Sequence, residues 1–357
     1  MADGNSPDLT RVERGLTYPQ PALPEFAQAV TVAEGVLWLR LSLPMALDHI
    51  NVYAIADGEG WVIVDTGLFT ENTRSAWQGA LAGPLRNLPI TRVVVTHMHP
   101  DHLGSAGWLC EMSGAPLLMS RLEYLCAHMH VSEDAAAPSP FAEPFFRSCG
   151  WGDQDIAHWK VRRGGFARSV APIPAQYERL SDGDELEIGG RLWTVVTGEG
   201  HSPEHVCLWR KDDGVFIAGD QILPKISSNI GVWDTEPLAN PLEDWLNSLE
   251  DLKTRLPSDL LVLPSHGEPF YGVTARLEAL IRGHEVGLKR LERSLRQKCR
   301  AVDVFGALFA RPIGPEVIGM ATAEALAHLN YLEARGRAVR QRDADGVDWW
   351  TIVEDIQ

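Results

Sequence analysis

Four side chains that can bind a metal ion lie within one six-residue run of this 357-residue chain. Imidazole and carboxylate groups suit zinc, and also iron or manganese with lower preference. An isolated histidine is usually a surface or hydrogen-bonded core residue, but three histidines and an aspartate this close together favour a shared metal. The run therefore predicts a metal centre. Its members are His97, His99, Asp101 and His102.

Three more donor residues of the same kinds follow at long intervals, in Gly200-His201, Gly219-Asp220 and His266-Gly267. Each stands beside a glycine, which lets the backbone approach closely. A single pair of this kind could be an ordinary turn, but three in order after the cluster indicate one site. Seven donors can hold two divalent cations around one water, and such cations lower the pKa of that water from about 15.7 towards about 7. We therefore expect hydrolytic chemistry.

Apolar runs typical of buried strands precede all of these donors. Val93–Val95 comes before the cluster, and segments 193–196, 215–218 and 260–263 come before the three later donors. The stretch after the cluster, 105–110, has the pattern of a helix. The elements thus predict that strand ends bring the donors into one pocket.

The order His-x-His-x-Asp-His, Gly-His, Gly-Asp and a final His-Gly turn resembles the metallo-β-lactamase superfamily. The resemblance implies an α/β fold, an αββα sandwich with the site at one edge of two packed sheets. It also implies a role for Asp65, in Val64-Asp65-Thr66-Gly67, as the early strand-end aspartate that orients a ligand. His205 could orient a ligand too, and a purely structural role for it is equally open.

Carried over by position, the resemblance divides the donors between two metals, expected to be two Zn²⁺ per chain, with iron or manganese as alternatives. Asp220 would bridge the metals, and Asp101 could also shuttle a proton. The first metal would be bound by His97, His99 and His201, and the second by Asp101, His102 and His266.

Two branches of the superfamily do not match this chain. The common zinc β-lactamases have a cysteine at the position of Asp220, and the interval 221–265 is too short for the inserted domain of the nucleic-acid-processing branch. The remaining resemblance is to glyoxalase II, its thioesterase relatives and the lactamase-like endoribonucleases with an added C-terminal domain. It covers roughly residues 30 to 350.

The sequence favours one reaction and leaves two alternatives. A metal-bound hydroxide would attack the carbonyl of an acyl thioester, or of a related small ester or lactone. A thiolate leaves without protonation at neutral pH, and no dedicated general acid is evident apart from Asp101. The alternatives are a single-strand endoribonuclease and a protein that binds metal and ligand without turnover.

The net charge of the chain disfavours the endoribonuclease alternative but does not exclude it. The chain has 32 basic and 48 acidic residues and a formal net charge of −16, which makes nucleic acid an unfavourable partner. The same charge could serve solubility alone. Five cysteines at irregular spacing predict no disulfide framework. The polar N-terminal stretch predicts no signal segment, and no apolar run reaches the roughly 18 residues that a membrane span needs. We expect a cytoplasmic enzyme with a small-molecule acyl substrate.

The chain divides into an N-terminal arm (1–29), a catalytic domain (30–284) and a C-terminal domain (285–357). Segment 121–175, rich in helix signals and aromatic residues, is predicted to be a cap over the site, with packing against the body or a second subunit equally open. Helix signals followed by a two-strand pattern suggest a winged-helix-like C-terminal domain, which could brace the body or form a homodimer. His328 is expected to be a packed core residue.

Substrate contacts are predicted from position alone. Phe146 and Trp151 belong to the predicted cap. Lys225, Ser227 and Asn229 follow the bridging aspartate closely.

Overall fold

The computed structural model describes residues 11–19, 22–135 and 138–353. Its first element is a hairpin of β1 (Arg11–Glu13) and β2 (Leu16–Tyr18). Leu16 and Tyr18 are buried, and the backbone of Thr17 pairs with that of Tyr271. This part of the predicted arm therefore packs on the body. Residues 1–10, 20 and 21 of the arm lie outside the described residues.

A seven-stranded sheet comes next, with its strands in chain order. The first four strands pair antiparallel and the last four pair parallel. The parallel part places several strand ends at the same edge. The strands are β3 (Ala29–Ala33), β4 (Val36–Ser42), β5 (His49–Ala56), β6 (Trp61–Val64), β7 (Ile90–Val94), β8 (Leu117–Ser120) and β9 (Glu178–Leu180).

The second sheet has five strands, also in chain order. Its last two strands pair parallel, whereas the others pair antiparallel. The strands are β10 (Glu185–Ile188), β11 (Arg191–Gly198), β12 (His205–Arg210), β13 (Val215–Gly219) and β14 (Leu261–Pro264).

Helices cover the outer faces of both sheets. One group follows the strands of the first sheet, and a second group packs on the other sheet and continues to the C-terminus. The first group is α1 (Glu71–Ala82), α2 (Pro100–Leu103), α3 (Ala106–Ser113), α4 (Arg121–Ala135), α5 (Ala142–Ser148), α6 (Asp153–Arg162) and α7 (Gly165–Arg168). The second group is α8 (Pro241–Arg255), α9 (Val273–Ser294), α10 (Phe305–Leu308) and α11 (Ile318–Ala334), followed by a hairpin of β15 (Ala338–Arg342) and β16 (Asp348–Ile352).

Three apolar cores hold these layers together. The core between the sheets includes the fully buried Trp38 and Trp193, one from each sheet. A second core lies between the first sheet and helices α1, α3 and α4, around Trp77. The third joins the second sheet to α8, α9 and α11 around Trp245. Apolar burial drives this packing, at about 25 cal/mol per Å². The predicted αββα sandwich is confirmed.

The C-terminal helices are continuous with the body. Helix α9 runs from Val273 to Ser294, so the boundary drawn between residues 284 and 285 falls inside one helix. Leu329 and Leu332 of α11 belong to the same core as Trp245. Helices and then a hairpin follow one another in this region, whereas its winged-helix-like character stays a prediction. His328 is buried as predicted.

Two further observations concern the whole described chain. All five cysteines are free thiols. Within residues 11–19, 22–135 and 138–353, no helix combines the length and apolar character needed to cross a membrane.

Candidate metal centre

All seven predicted donors meet at one edge of the sandwich. The β7–α2 connection carries His97 and His99, while Asp101 and His102 lie on α2. The later three donors follow β11, β13 and β14. Since β13 and β14 run parallel with Gly219 opposite Pro264, the chain leaves both strands at the same edge. Strand order thus brings together residues that are far apart in sequence.

Glycine is required at one of these strand ends. Gly219 has a φ of +53°, and a Cβ atom there would lie 2.3 Å from His205 Cε1. A larger residue would therefore displace the segment that carries Asp220.

Three imidazoles form the first group of donors. His97 Nε2 and His99 Nδ1 are 2.8 Å apart, and His201 Nε2 lies 3.1 Å from His99 Nδ1 and 3.2 Å from His97 Nε2. The Nδ1–H of His201 donates to the backbone oxygen of Asn229 at 2.8 Å, so in the neutral ring its Nε2 presents a lone pair to the group. A cation bound between these three ring nitrogens would stabilise their close approach, as zinc does with histidine ligands.

Asp101, His102 and His266 form the second group, with donor atoms all within 4.8 Å of one another. His266 Nε2 lies 3.4 Å from Asp101 Oδ2, and its Nδ1–H donates to the backbone oxygen of His49 at 2.7 Å. The ring of His266 is therefore oriented with Nε2 towards the carboxylate.

Asp220 faces both groups. Its Oδ1 lies 3.4 Å from His266 Nε2 and 3.6 Å from His102 Nε2, whereas its Oδ2 lies 3.4 Å from His201 Nε2. One carboxylate is thus within reach of two positions, as a bridging ligand must be.

Two buried atoms here support a metal ion. Among the described residues, His102 Nε2 and Asp220 Oδ1 are buried and lack a hydrogen-bond partner. A buried polar atom without a partner is costly, and coordination would satisfy both. The donor chemistry and these two atoms fit a pair of divalent cations.

Asp65 and His205 form hydrogen bonds that orient two of the donor residues, His102 and Asp220. Asp65 Oδ2 accepts from His102 Nδ1 at 2.8 Å, while its Oδ1 accepts from the backbone N–H of Thr96 at 2.8 Å. His205 Nε2 accepts from the backbone N–H of Asp220 at 3.0 Å. Burial keeps the pKa of His205 well below its usual value, so the ring is neutral and able to accept.

Electrostatics differ between the two donor groups. Burial and then the neighbouring His201 lower the pKa of His99 to about 3. Burial alone would also lower the pKa of His266, but Asp220 and Asp101 outweigh it and raise that pKa to about 10. Without a cation His99 is therefore neutral, whereas His266 carries a positive charge opposite Asp101 and Asp220.

Several residues that position the donors were missed by sequence reasoning. Glu123 accepts from the backbone N–H of Met98 at 2.9 Å and from that of Glu204 at 2.8 Å. Asn51 donates to the backbone oxygens of Pro264 and Gly267, on either side of His266. An asparagine inside an otherwise apolar strand was the available signal for Asn51. Nothing in the sequence around Glu123 distinguishes it from an exposed helix residue.

Phe146 and Trp151, which we predicted to contact substrate, lie in the core that joins α5 to the C-terminal helices. Each is 5% exposed, and their rings stack with centroids 4.3 Å apart. The indole N–H of Trp151 donates to the hydroxyl of Thr322 on α11 at 2.9 Å. This corrects the prediction, because buried rings bonded to another helix pack the fold and cannot line an open cap.

The other three predicted substrate residues lie on the segment that follows Asp220, outside the donor groups. The side chain of Asn229 donates to Glu324 of α11 at 2.7 Å. Lys225 and Ser227 line a separate cavity against α9. None of the three side chains is among the grouped donors.

The fold and the donor set define a metallo-hydrolase, and comparison with known families gives the same result. Residues 45–266 match the family model described as metallo-beta-lactamase superfamily. Residues 288–353 match a second model, described as metallo-beta-lactamase-like, C-terminal domain. The chain belongs to the metallo-beta-lactamase superfamily.

Individual proteins extend this likeness over most of the chain. A beta-lactamase domain protein from Burkholderia ambifaria has a similar structure, with a TM-score of 0.88 and 39% identity, covering 95% of this chain and 98% of that one. The probable metallo-hydrolase YqjP of Bacillus subtilis is 27% identical over 310 residues, which are 84% of this chain and 93% of that protein. The acyl-coenzyme A thioesterase MBLAC2 of Homo sapiens is 24% identical over 260 residues, which are 67% of this chain and 81% of that protein.

Proposed function

We propose that this metallo-hydrolase cleaves acyl thioesters with two divalent cations, zinc being the first candidate and iron or manganese the alternatives. The carboxylates of the metal centre carry the proposal. Asp101 and Asp220 face histidine nitrogens, and Asp65 accepts from His102. Glu123 accepts from two backbone N–H groups.

These contacts leave no carboxyl group of the described centre free to protonate a leaving group. An amide or alkyl ester needs such a proton donor, whereas a thiolate departs unprotonated at neutral pH. A thioester therefore suits this donor set better than an amide or an alkyl ester does. Asp101, with a side chain that is 20% exposed, is the carboxylate best placed to accept a proton from the solvent side.

A bound cation pair would supply a water of lowered pKa and would polarise the carbonyl oxygen of the substrate. The chain's own residues provide the orientation. Asp65 fixes the ring of His102, and the carbonyl of Asn229 fixes that of His201. Such contacts keep the donor atoms aimed at one place and typically matter 10–100-fold for metal affinity or activity.

The relationship to a protein named acyl-coenzyme A thioesterase supports the same substrate class, at 24% identity. The alternative of a single-strand endoribonuclease has less support, because a formal net charge of −16 opposes binding of a polyanion. We also propose a small-molecule acyl substrate as the partner rather than a nucleic acid.

The test is a substrate panel with purified, zinc-loaded protein. Acyl-CoA, acyl-glutathione, a lactone and single-stranded RNA are offered to the wild type, to His99→Ala and to His158→Ala. We expect thioester hydrolysis that is lost in His99→Ala and retained in His158→Ala, since His158 lies on α6 and outside the donor groups. RNA cleavage lost in His99→Ala, without thioester turnover, would refute the proposal. Full metal occupancy without any turnover would favour a binding protein instead.

A further inference from the structure

A cavity lies between the segment after β13 and one face of α9, and none of the metal-centre donors lines it. Its volume is about 270 Å³. The face of α9 that lines it carries small residues, Ala279, Gly283 and Gly287. A Cβ atom added at Gly283 would meet nothing within 4 Å. The small residues therefore create the space.

Three cationic side chains line this cavity, Lys225, Arg276 and Arg290. Their proximity is unusual in a chain with a formal net charge of −16. Arg276 donates to the backbone oxygens of Leu223 at 2.5 Å and Ile226 at 2.7 Å. Positive side chains that line one cavity repel each other, and an anion bound between them would offset this repulsion.

Within the described part of the chain, neither arginine has an anionic partner. Across residues 11–19, 22–135 and 138–353, no carboxylate lies within 4.0 Å of Arg276 or Arg290, and the carboxylate paired with Lys225 is Glu13 at 3.8 Å. Burial lowers the pKa of Arg276 to about 10, so its guanidinium remains charged at neutral pH. A half-buried cation without a counter-ion is a position that an anionic ligand would stabilise.

Neutral polar groups also line the cavity. His328 Nδ1–H donates to the backbone oxygen of Glu324 at 2.8 Å, which leaves its Nε2 to accept from His284 Nδ1–H at 3.3 Å. His284 Nε2 then accepts from the hydroxyl of Ser227 at 3.2 Å. Both imidazoles are thus uncharged in this chain of hydrogen bonds. Ser227 is exposed, and its hydroxyl can turn towards a ligand.

We propose that this cavity binds a phosphate group through Lys225, Arg276 and Arg290. Arginine and lysine are the side chains that recognise phosphate best. At about 270 Å³ the cavity is slightly smaller than the roughly 300 Å³ at which sites for whole small molecules begin, so it suits one phosphorylated end of a ligand.

The position of the cavity connects it to the proposed function, on which this step rests. Asn229 separates the two sites, since its backbone oxygen accepts from His201 while its side chain donates to Glu324, which lines the cavity. A thioester carrier with a phosphorylated end, such as coenzyme A, could place its acyl group at the metals and its phosphate here. A free phosphorylated metabolite is the other source of the same chemistry.

Binding is tested first, and independently of turnover. The probe is adenosine 3′,5′-bisphosphate, titrated calorimetrically into the zinc-loaded full chain, with adenosine as the uncharged comparison. We expect Lys225→Gln and Arg290→Gln each to weaken binding about tenfold or more, because a hydrogen bond to a charged group is worth about 1.5–3 kcal/mol. Arg276 is left unchanged because it also holds two backbone carbonyls.

Two further variants separate the cavity from general charge effects. Gly283→Leu fills the space without altering charge and should abolish binding of the probe. Arg282→Gln removes a cation from the same helix, outside the lining, and should bind like the wild type. Wild-type affinity in Lys225→Gln, Arg290→Gln and Gly283→Leu would overturn the proposal, and so would an equal loss in Arg282→Gln.

Glu324 gives a test in the opposite direction. It is the acidic residue of the lining, and burial raises its pKa to about 7, so it is largely charged at pH 8. Glu324→Gln retains an oxygen for Asn229 and removes that charge. At pH 8 this variant should bind the bisphosphate more tightly than the wild type, and weaker binding would contradict an anion site.

Kinetics identify the source of the phosphate. The ratio of kcat/KM for acetyl-CoA to that for the phosphate-free S-acetyl-N-acetylcysteamine should fall about tenfold in Arg290→Gln if the carrier's phosphate binds here. An unchanged ratio together with lost bisphosphate binding would assign the cavity to a free phosphorylated ligand. If no thioester is hydrolysed, the proposed function fails, while the titration still decides whether the phosphate site exists.

Discussion

Asp220 is the residue on which both donor groups depend. Its two oxygens point to different histidines, Oδ1 towards His266 and Oδ2 towards His201. Its backbone N–H is also bonded to His205, so the main chain and the side chain are both fixed. Removal of this carboxylate should therefore affect two metal positions at once.

We expect Asp220→Ala to lower metal content and hydrolytic activity together, because the lost side chain belongs to both positions. The measurement is metal per chain by mass spectrometry alongside initial rates. Asp212→Ala, which removes an exposed carboxylate paired with Arg191, is the matched control and should keep both. Two metals per chain in Asp220→Ala would show that the bridging assignment is wrong.

At this scale the sequence predicted which seven side chains come together, because each follows an apolar strand. Their binding of metal stays a prediction. The sequence could not predict which way neighbouring side chains turn. Asn229 follows Asp220 closely, yet its side chain points to Glu324, a residue 95 positions away. Phe146 and Trp151 show the same limit, since an aromatic residue in a segment between two sheet strands can face either a substrate or another helix.

Helices α5 and α6 of segment 121–175 pack in the same core as the C-terminal helices. Trp151 packs on Phe146 and bonds to Thr322, so it connects the turn before α6 to α11. A tryptophan with such contacts stabilises the fold through burial as well as through its hydrogen bond.

Trp151→Ala should lower the free energy of unfolding by about 3–5 kcal/mol, the usual cost of removing a large buried aromatic side chain. Urea unfolding followed by circular dichroism measures the change. Phe141→Ala is the control, because Phe141 is 73% exposed, and its effect should be small. Unaltered stability combined with a changed substrate preference would restore the cap hypothesis.

Glu324 makes the packing of α11 sensitive to pH. Burial raises its pKa in the folded protein to about 7 from the usual 4.5, so the folded state retains a proton that the unfolded state loses. Its contribution to stability is therefore present below about pH 4.5 and is lost as the pH rises through about 7. A pKa change of this size corresponds to at most about 3 kcal/mol.

Glu324→Gln should accordingly be more stable than the wild type at pH 8, by up to about 3 kcal/mol, and similar to it near pH 4.5. The free energy of unfolding of both proteins, measured across this range, gives the comparison. A constant difference at every pH would mean that the carboxyl group does not titrate as described.

Among the elements, the strands were easier to predict than the helices. Runs such as 93–95 and 215–218 are apolar throughout, as buried strands are, and they become β7 and β13 with only small shifts at their ends. The boundary drawn between residues 284 and 285 divides helix α9, although its buried leucines on both sides of that point belong to one core. Periodicity reveals a buried face but does not identify what covers it.

Metal binding should stabilise the whole molecule, since its ligands come from both sheets and meet only in the folded state. Linkage gives about 2.7 kcal/mol when free metal exceeds its dissociation constant 100-fold. Because the unfolding entropy is about 2.1 cal/mol/K per residue, about 1 kcal/mol shifts the Tm of a chain this long by roughly 1–2 °C.

Chelation should therefore lower Tm by roughly 3–5 °C, and added zinc should restore it. Differential scanning calorimetry with and without EDTA provides the measurement. His97→Ala serves as the comparison, because a site without this donor should respond much less to the chelator. Identical Tm values for the wild type in both conditions would contradict a structural contribution of the metal.

The contact from His201 through Asn229 to Glu324 has a consequence for any shortened version of this protein. A chain ending at residue 266 would contain all seven donors. It would nevertheless lack α11, and with it the anchor that keeps the carbonyl of Asn229 in front of His201. We therefore expect that segment 45–266, which matches the family model, is not an independent catalytic unit. We also expect that, among related sequences, residues on α11 change together with residues around the first metal.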